Sequence, residues 1–132
     1  MVKPGERLLE GVNVEISKIQ EVTPLTPTSK GSIFNTSVTA NTDIFASPLK
    51  PQKTPCLFRI YVCFDTAGVL TVRRTKGDVT VNEKLKEGTN LVAGAAYIFD
   101  IIVDADEAIN LQYSVNATAL KISVVELETA GA

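Results

Sequence analysis

The chain has 132 residues, a length that suits one domain with its own hydrophobic core. Apolar residues make up 45% of it and charged residues 21%, which excludes the composition of a disordered chain. The formal net charge of −2 disfavours nucleic acid as the main partner, because phosphate binding needs a broad positive field. The N-terminus lacks the apolar core of a signal peptide, and no run approaches the roughly 20 apolar residues of a membrane span. We therefore expect neither export by the general pathway nor membrane insertion.

Residues 1–31 are predicted to form an extended N-terminal arm. The alternating residues Val12, Val14 and Ile16 favour an edge strand or an added strand, although Val12, Ile16 and Ile19 also fit one face of a short helix. The turn-rich sequence TPLTPTSKG follows this stretch. We expect Val12, Val14 and Ile16 to supply the apolar contacts of the arm with another protein chain.

Residues 32–128 are predicted to form the folded domain, and residues 129–132 a disordered C-terminal tail. All 6 prolines precede residue 56. Because proline cannot donate a ladder hydrogen bond, we expect the continuous sheet in the second half of the chain. Residues 32–47 are rich in Thr, Ser and β-branched residues and predict a pair of short strands.

Residues 56–64, CLFRIYVCF, predict a strand with two unlike faces. One face is apolar and comprises Phe58, Ile60, Val62 and Phe64. The other face is mixed and comprises Leu57, Arg59, Tyr61 and Cys63. This pattern is typical of a strand with the core on one side and a half-exposed or protein-covered surface on the other. We therefore predict that Arg59 and Tyr61 lie in an interface.

The two cysteines, Cys56 and Cys63, belong to this strand. At about 3.3 Å per residue their Cα atoms lie on the order of 23 Å apart, whereas a disulfide needs less than about 7 Å. They cannot bridge to each other, and their odd spacing places them on opposite faces. We expect two reduced thiols, with an intermolecular disulfide as the alternative.

Turns at residues 65–68 and 76–78 join this strand to VLTVRRT and VTVNEKL, which predicts an antiparallel meander of three strands. After turns at Gly88 and Gly94, alternation predicts three more strands, YIFDIIV, INLQYSV and ALKISVVEL. Their predicted core faces are Tyr97, Phe99, Ile101 and Val103 in the first, Ile109, Leu111, Tyr113 and Val115 in the second, and Leu120, Ile122 and Val124 in the third.

About eight short strands without a convincing amphipathic helix indicate an all-β domain. We predict an antiparallel two-sheet β-sandwich of the jelly-roll type, preceded by the extended N-terminal arm.

Residues for enzymatic chemistry are scarce. The chain has no histidine, and it contains neither a glycine-rich phosphate loop nor a CxxC pair. We predict no catalytic residue, no cofactor and no metal site. Asp104, Asp106 and Glu107 are interpreted as a solvated hairpin turn, with calcium binding as the alternative. A glycosidase pair of Asp100 with Asp104 is conceivable, but a chance pairing is the simpler interpretation.

The basic residues Arg73, Arg74 and Lys76 end the strand VLTVRRT. Charged residues at strand ends prevent unwanted edge pairing, so a solvated strand end is the simplest interpretation. The alternatives are phosphate binding and an ionic contact with an acidic neighbouring subunit, since arginine is enriched at interfaces and binds carboxylates bidentately. We include Arg73 and Arg74 among the predicted interface residues.

The stretch from Leu57 to Leu127, with FRIYVCFDTAGVLTVRRTKG, LVAGAAYIFDIIVDADEAINLQYS and LKISVVEL, resembles small β-structural proteins of tailed phages and related viruses or proviruses. The resemblance covers a little over half of the chain and leaves out the arm. It implies a virion component, as in the trimeric decoration proteins on the exterior of capsids.

We therefore expect a capsid decoration or stabilising protein, made in the host cytoplasm and located in the virion. Its expected partners are itself, as a homotrimer, and the major capsid protein or another virion protein, with no nucleic acid and no membrane. The alternative is a receptor-binding or carbohydrate-binding adhesion module. The absence of Trp and the placement of Tyr97 and Tyr113 on apolar strand faces weaken that alternative.

Overall fold

The computed structural model describes residues 25–129, which form two antiparallel sheets. The strands are β1 (Leu25–Val38), β2 (Cys56–Phe64), β3 (Leu70–Lys76), β4 (Val79–Lys84), β5 (Ala96–Val103), β6 (Glu107–Tyr113) and β7 (Ala117–Thr129). A 3₁₀ turn at Lys86–Gly88 lies between β4 and β5. In this part of the chain no helix is long and apolar enough to cross a membrane. The predicted all-β sandwich is confirmed.

The strand order is β1-β7-β2-β5 in the four-stranded sheet and β4-β3-β6 in the three-stranded sheet. Residues 39–50 run beside β6 without regular strand geometry. The N–H of Asn41 donates to the carbonyl of Tyr113 at 2.7 Å, and Leu49 and Ile109 exchange two backbone hydrogen bonds of 2.7 and 2.8 Å. This segment occupies the place of a further strand in the three-stranded sheet. Successive elements then alternate between the sheets everywhere except at β3 and β4, which is the organisation of a jelly roll.

The core lies between the two sheets and is formed by the alternating side chains that the sequence indicates. Phe58, Ile60, Val62 and Phe64 of β2 are at most 2% exposed, and Ile109, Leu111 and Tyr113 of β6 are fully buried. The ring of Tyr113 stacks on Phe64, with 3.8 Å between the ring centroids, and so joins the two sheets. These predicted core faces are confirmed.

The first strand is longer than the sequence suggests. It begins at Leu25, inside the segment assigned to the arm, and pairs with β7 from Leu25 opposite Thr129 to Val38 opposite Ala117. Thr129 belongs to the segment that we predicted to be a disordered tail. The second of the two short strands expected in residues 32–47 is not formed. Pro48 lacks an N–H there, and the side chain of Asn110 binds the backbone N and O of Phe45 at 3.1 and 2.9 Å in place of a ladder partner.

The predicted three-strand meander is wrong, because only β3 and β4 form a hairpin. Both edges of β2 are occupied, one by β5 and the other by β7. The chain therefore crosses to the other sheet after Phe64, and Asp65 anchors the crossing by accepting the N–H of Thr118 at 2.7 Å. The turn after β5 crosses between sheets in the same way, so it is not the hairpin turn that we predicted.

A β-bulge corrects the predicted core face of β7. Cys63 lies opposite Lys121 and Phe64 opposite Ala119, so that Leu120 is an extra residue on β7. Leu120 is consequently 36% exposed, and Ala119 takes the buried position in its place. Ile122 and Val124 are fully buried as predicted.

The cysteines confirm the geometric argument. Cys56 and Cys63 both lie in β2 and are not joined by a disulfide. Cys56 is buried on the core-facing side, and Cys63 is half-buried on the opposite face.

Gly68 lies where the crossing after β2 passes closest to the stacked ring of Tyr113. A Cβ atom at this position would lie 2.9 Å from the Tyr113 ring and 2.9 Å from the side chain of Val115. We expect Gly68→Ala to lower the free energy of unfolding by about 2 kcal/mol, because a rigid ring in a packed core cannot move aside. Urea unfolding measures this, and an unchanged midpoint would show that the crossing shifts freely.

Candidate protein-binding surfaces

The outer face of the four-stranded sheet carries large apolar side chains. Phe34 on β1 is 76% exposed, and Ile98 and Ile102 on β5 are 61% and 64% exposed. Strand register places them on one face with half-buried neighbours from β2 and β7. We call this surface the apolar outer face; its apolar side chains are Phe34, Leu57, Tyr61, Cys63, Ile98, Ile102 and Val125, and register places Ser32, Arg59, Asp100, Lys121 and Ser123 among them.

The outer face of the three-stranded sheet is different. Apart from Ala108, the side chains that register places there are polar or charged: Thr71, Arg73, Thr75, Thr80, Asn82, Lys84, Asn110 and Gln112. Antiparallel sheets in sandwiches usually have one face on the core and one polar face in water. The three-stranded sheet follows that rule, and the four-stranded sheet departs from it.

The apolar outer face contains one ion pair that is satisfied within the chain. Arg59 of β2 lies directly opposite Asp100 of β5 and donates two hydrogen bonds to its carboxylate, at 2.9 and 3.0 Å. The guanidinium of Arg59 holds the pKa of Asp100 below its ordinary value. Because the two charges neutralise each other in a bidentate pair, they oppose contact with an apolar partner less than separate charges would.

Arg73 and Arg74 point to opposite sides of β3. Arg73 lies on the polar outer face and binds Asp43 at 2.9 Å, and the same carboxylate oxygen accepts a hydrogen bond from Gln112 at 2.8 Å. Arg74 lies on the core-facing side, opposite Ile109 of β6, and its side chain is 20% exposed. Of the predicted interface residues that the structure describes, Arg59 and Tyr61 therefore lie on the apolar outer face, and Arg73 and Arg74 do not.

Arg74 also pairs with Glu107, one of the acidic residues that follow β5. Its guanidinium donates to Glu107 at 2.7 Å and to Glu83 at 2.8 Å. Glu107 is thus an ion-pair partner rather than part of a solvated turn. Among residues 25–129, no group of three His, Cys, Asp or Glu side chains is arranged to hold a metal ion.

The arm residues Val12, Val14 and Ile16 lie outside the described residues, so their predicted contacts stay a prediction. Sequence analysis did not single out Phe34, Ile98 or Ile102 as interface residues. A signal for the last two was present, because YIFDIIV has apolar residues on both faces, as expected of a strand covered on both sides. Phe34 had no such signal, since its face depends on the pairing of β1 with β7.

Comparisons with protein-family models, with curated proteins and with solved structures found no match.

Proposed function

We propose that this protein is a structural component of a virion, a capsid decoration or stabilising protein that acts by assembling as a homotrimer on the viral shell. The observation that carries the proposal is the contrast between the two outer faces. Exposed apolar patches on soluble domains mark interaction sites, and this one lies on a rigid sheet. The viral part of the proposal depends on the resemblance of Leu57–Leu127 to small β-structural proteins of tailed phages.

The apolar outer face suits contact with protein. Arg59 and Asp100 pair within it, and Tyr61 lies directly opposite Ile98, which gives an aromatic anchor beside an exposed aliphatic residue. Aromatic residues and arginine are enriched at such interfaces and contribute much of their binding energy.

The absolute mass of the purified protein tests the assembly, measured by light scattering after size exclusion at low micromolar concentration. We expect three times the chain mass of 14.2 kDa. Ile98→Lys is expected to yield the monomer mass, because it places an unpaired charge in the covered face. Val92→Lys is the matched control, since Val92 is 59% exposed but lies in the loop before β5.

A wild-type monomer that also fails to bind purified shells would contradict assembly. The viral setting has its own test, because particles purified from cells that make the protein are expected to contain it at a constant ratio to the shell protein. Quantitative mass spectrometry measures that ratio. Absence from the particles would contradict a virion role and leave self-assembly standing.

A further inference from the structure

The core-facing side of β4 is not covered by the opposite sheet. Val79 and Val81 lie opposite Lys76 and Arg74 of β3, on the side that buries Val72. Yet they are 64% and 54% exposed. The inner face of the three-stranded sheet thus continues past the edge of the core.

Arg74 marks the point where the core ends. Besides its two carboxylate partners, its guanidinium donates a hydrogen bond to the backbone carbonyl of Ile102, on β5 of the opposite sheet. Beyond this contact lies an open groove of ≈ 430 Å³ on the core-facing side of the three-stranded sheet. Its lining residues are Arg74, Lys76, Val79, Val81, Glu83 and Glu107.

The neighbouring edge of the four-stranded sheet is open as well. Among the described strands β5 pairs only with β2, so every second backbone N–H and C=O along Ala96–Val103 faces away from β2. A strand added along this edge would extend the four-stranded sheet beyond β5. Its inward side chains would then lie over Val79 and Val81.

We propose that the segment around Val12, Val14 and Ile16 of a neighbouring copy adds to this edge of β5 and covers the groove. Its apolar residues alternate, so that one face of an added strand would match the two valines of β4. The connector of residues 17–24 extends up to about 28 Å, which is enough to leave one domain and reach another.

This inference rests on the proposed self-assembly. It assigns the arm to a neighbour because exchanged arms would hold the proposed oligomer together. Since β1 and β5 lie at opposite edges of the four-stranded sheet, an arm bound to its own domain would instead run across that sheet. A contact between arm and groove joins two unlike surfaces, and such a contact closes a ring when the rotation between copies permits it.

Trypsin cleavage after Lys18 tests the contact in the full-length chain. Val14→Asp in the arm and Val81→Asp in the groove are each expected to speed this cleavage by about tenfold, since cleavage follows the population of released arm. Asn13→Asp and Asn82→Asp introduce the same charge on the neighbouring, opposite-facing positions and are expected to leave the rate unchanged. Val14→Asp changes no residue of β1 to β7, so its effect does not depend on whether β4 tolerates a charge.

Mixing the two variants distinguishes exchange between copies from binding within one chain. Chains with Val81→Asp keep an intact arm, and chains with Val14→Asp keep an intact groove. In mixed oligomers the intact arm is expected to regain protection at Lys18, whereas binding within one chain would give no recovery and would overturn the proposal. If wild type is trimeric and Ile98→Lys disrupts it, but neither arm nor groove variant changes cleavage, the arm contact is refuted and the proposed function stands.

Discussion

Replacing Tyr113 by alanine is expected to lower the free energy of unfolding by about 4 kcal/mol, the size typical of a large aromatic residue lost from a core. Tyr113 is fully buried and stacks on Phe64, which belongs to the other sheet. Its hydroxyl donates to the carbonyl of Thr66 at 2.6 Å, in the crossing that leaves β2. The substitution therefore removes two interactions: the packing between the sheets, and the hydrogen bond that holds the segment after β2 in place. Urea unfolding monitored by circular dichroism measures the loss.

Tyr113→Phe measures the contribution of the hydroxyl apart from that of the ring. It keeps the stack and is expected to cost about 1 kcal/mol, the usual net value of one hydrogen bond. Burial raises the pKa of Tyr113 to about 12, from an ordinary value of 10.0. Because the folded protein disfavours the phenolate, this contribution to stability is complete below pH 10.0 and is lost as the pH rises toward 12. Tyr113→Phe is expected to lack that decline, and equal losses at high pH in both proteins would contradict the assignment.

Glu126→Ala is expected to lower the free energy of unfolding by about 3 kcal/mol, because it removes a buried carboxylate and leaves two partly buried backbone donors without their acceptor. The side chain of Glu126 is 1% exposed and lies on the core-facing side of β7. Its two carboxylate oxygens accept the backbone N–H groups of Gln52 and Lys53 at 2.6 and 3.0 Å, and Lys30 lies 3.3 Å away. One carboxylate thus holds β1 and the loop before β2 against β7.

The Glu126 carboxylate is also expected to make the free energy of unfolding sensitive to acid. Burial by itself raises the pKa of Glu126, but the hydrogen bonds from Gln52, Lys53 and Lys30 outweigh it and hold the pKa below its ordinary 4.5. The contribution to stability is therefore complete above pH 4.5 and is lost as the pH falls toward the lower pKa of the folded state. Glu126→Gln is expected to flatten this acid limb of the stability curve.

Asp106→Asn is the matched control for the loss of a carboxylate. Asp106 is exposed and has a φ of 63°, a conformation that asparagine tolerates. We expect it to leave the free energy of unfolding unchanged. If Glu126→Ala were as mild as Asp106→Asn, the loop at Gln52 and Lys53 would not depend on this carboxylate.

The two proposed contacts use different parts of the four-stranded sheet. The apolar outer face presents side chains to a partner, whereas the edge of β5 presents backbone hydrogen-bonding groups to a strand. Natural sandwiches protect open edges with charges, bulges or added strands. Here Arg74 blocks one end of the β5 edge through Ile102, and the arm of a neighbour would cover the remainder.

The alternation of apolar residues let the sequence predict most strands and their core faces. Phe58, Ile60 and Val62 lie in the core as expected, and so do Ile109, Leu111 and Tyr113. This succeeds because side chains of a strand point alternately to its two faces, a local property that each segment carries by itself. The same pattern in YIFDIIV indicated apolar side chains on the outer face as well, at Ile98 and Ile102.

Pairing between distant segments decided the rest. β1 begins as early as Leu25 because its partner β7 is long enough to pair with it there. The predicted meander does not form because β5 and β7 already pair with both edges of β2, so the chain continues in the other sheet. One extra residue, Leu120, reverses the faces at the start of β7, because a shift of one position exchanges core and solvent sides. The partners of Glu126 and Arg74 come from other strands and loops, so no local pattern could show that these two charges lie inside. The sequence by itself determined most of the strands and most of their core faces, because alternation is local. Only the tertiary structure decided the strand pairing and which surfaces stay uncovered, because both depend on contacts between distant segments.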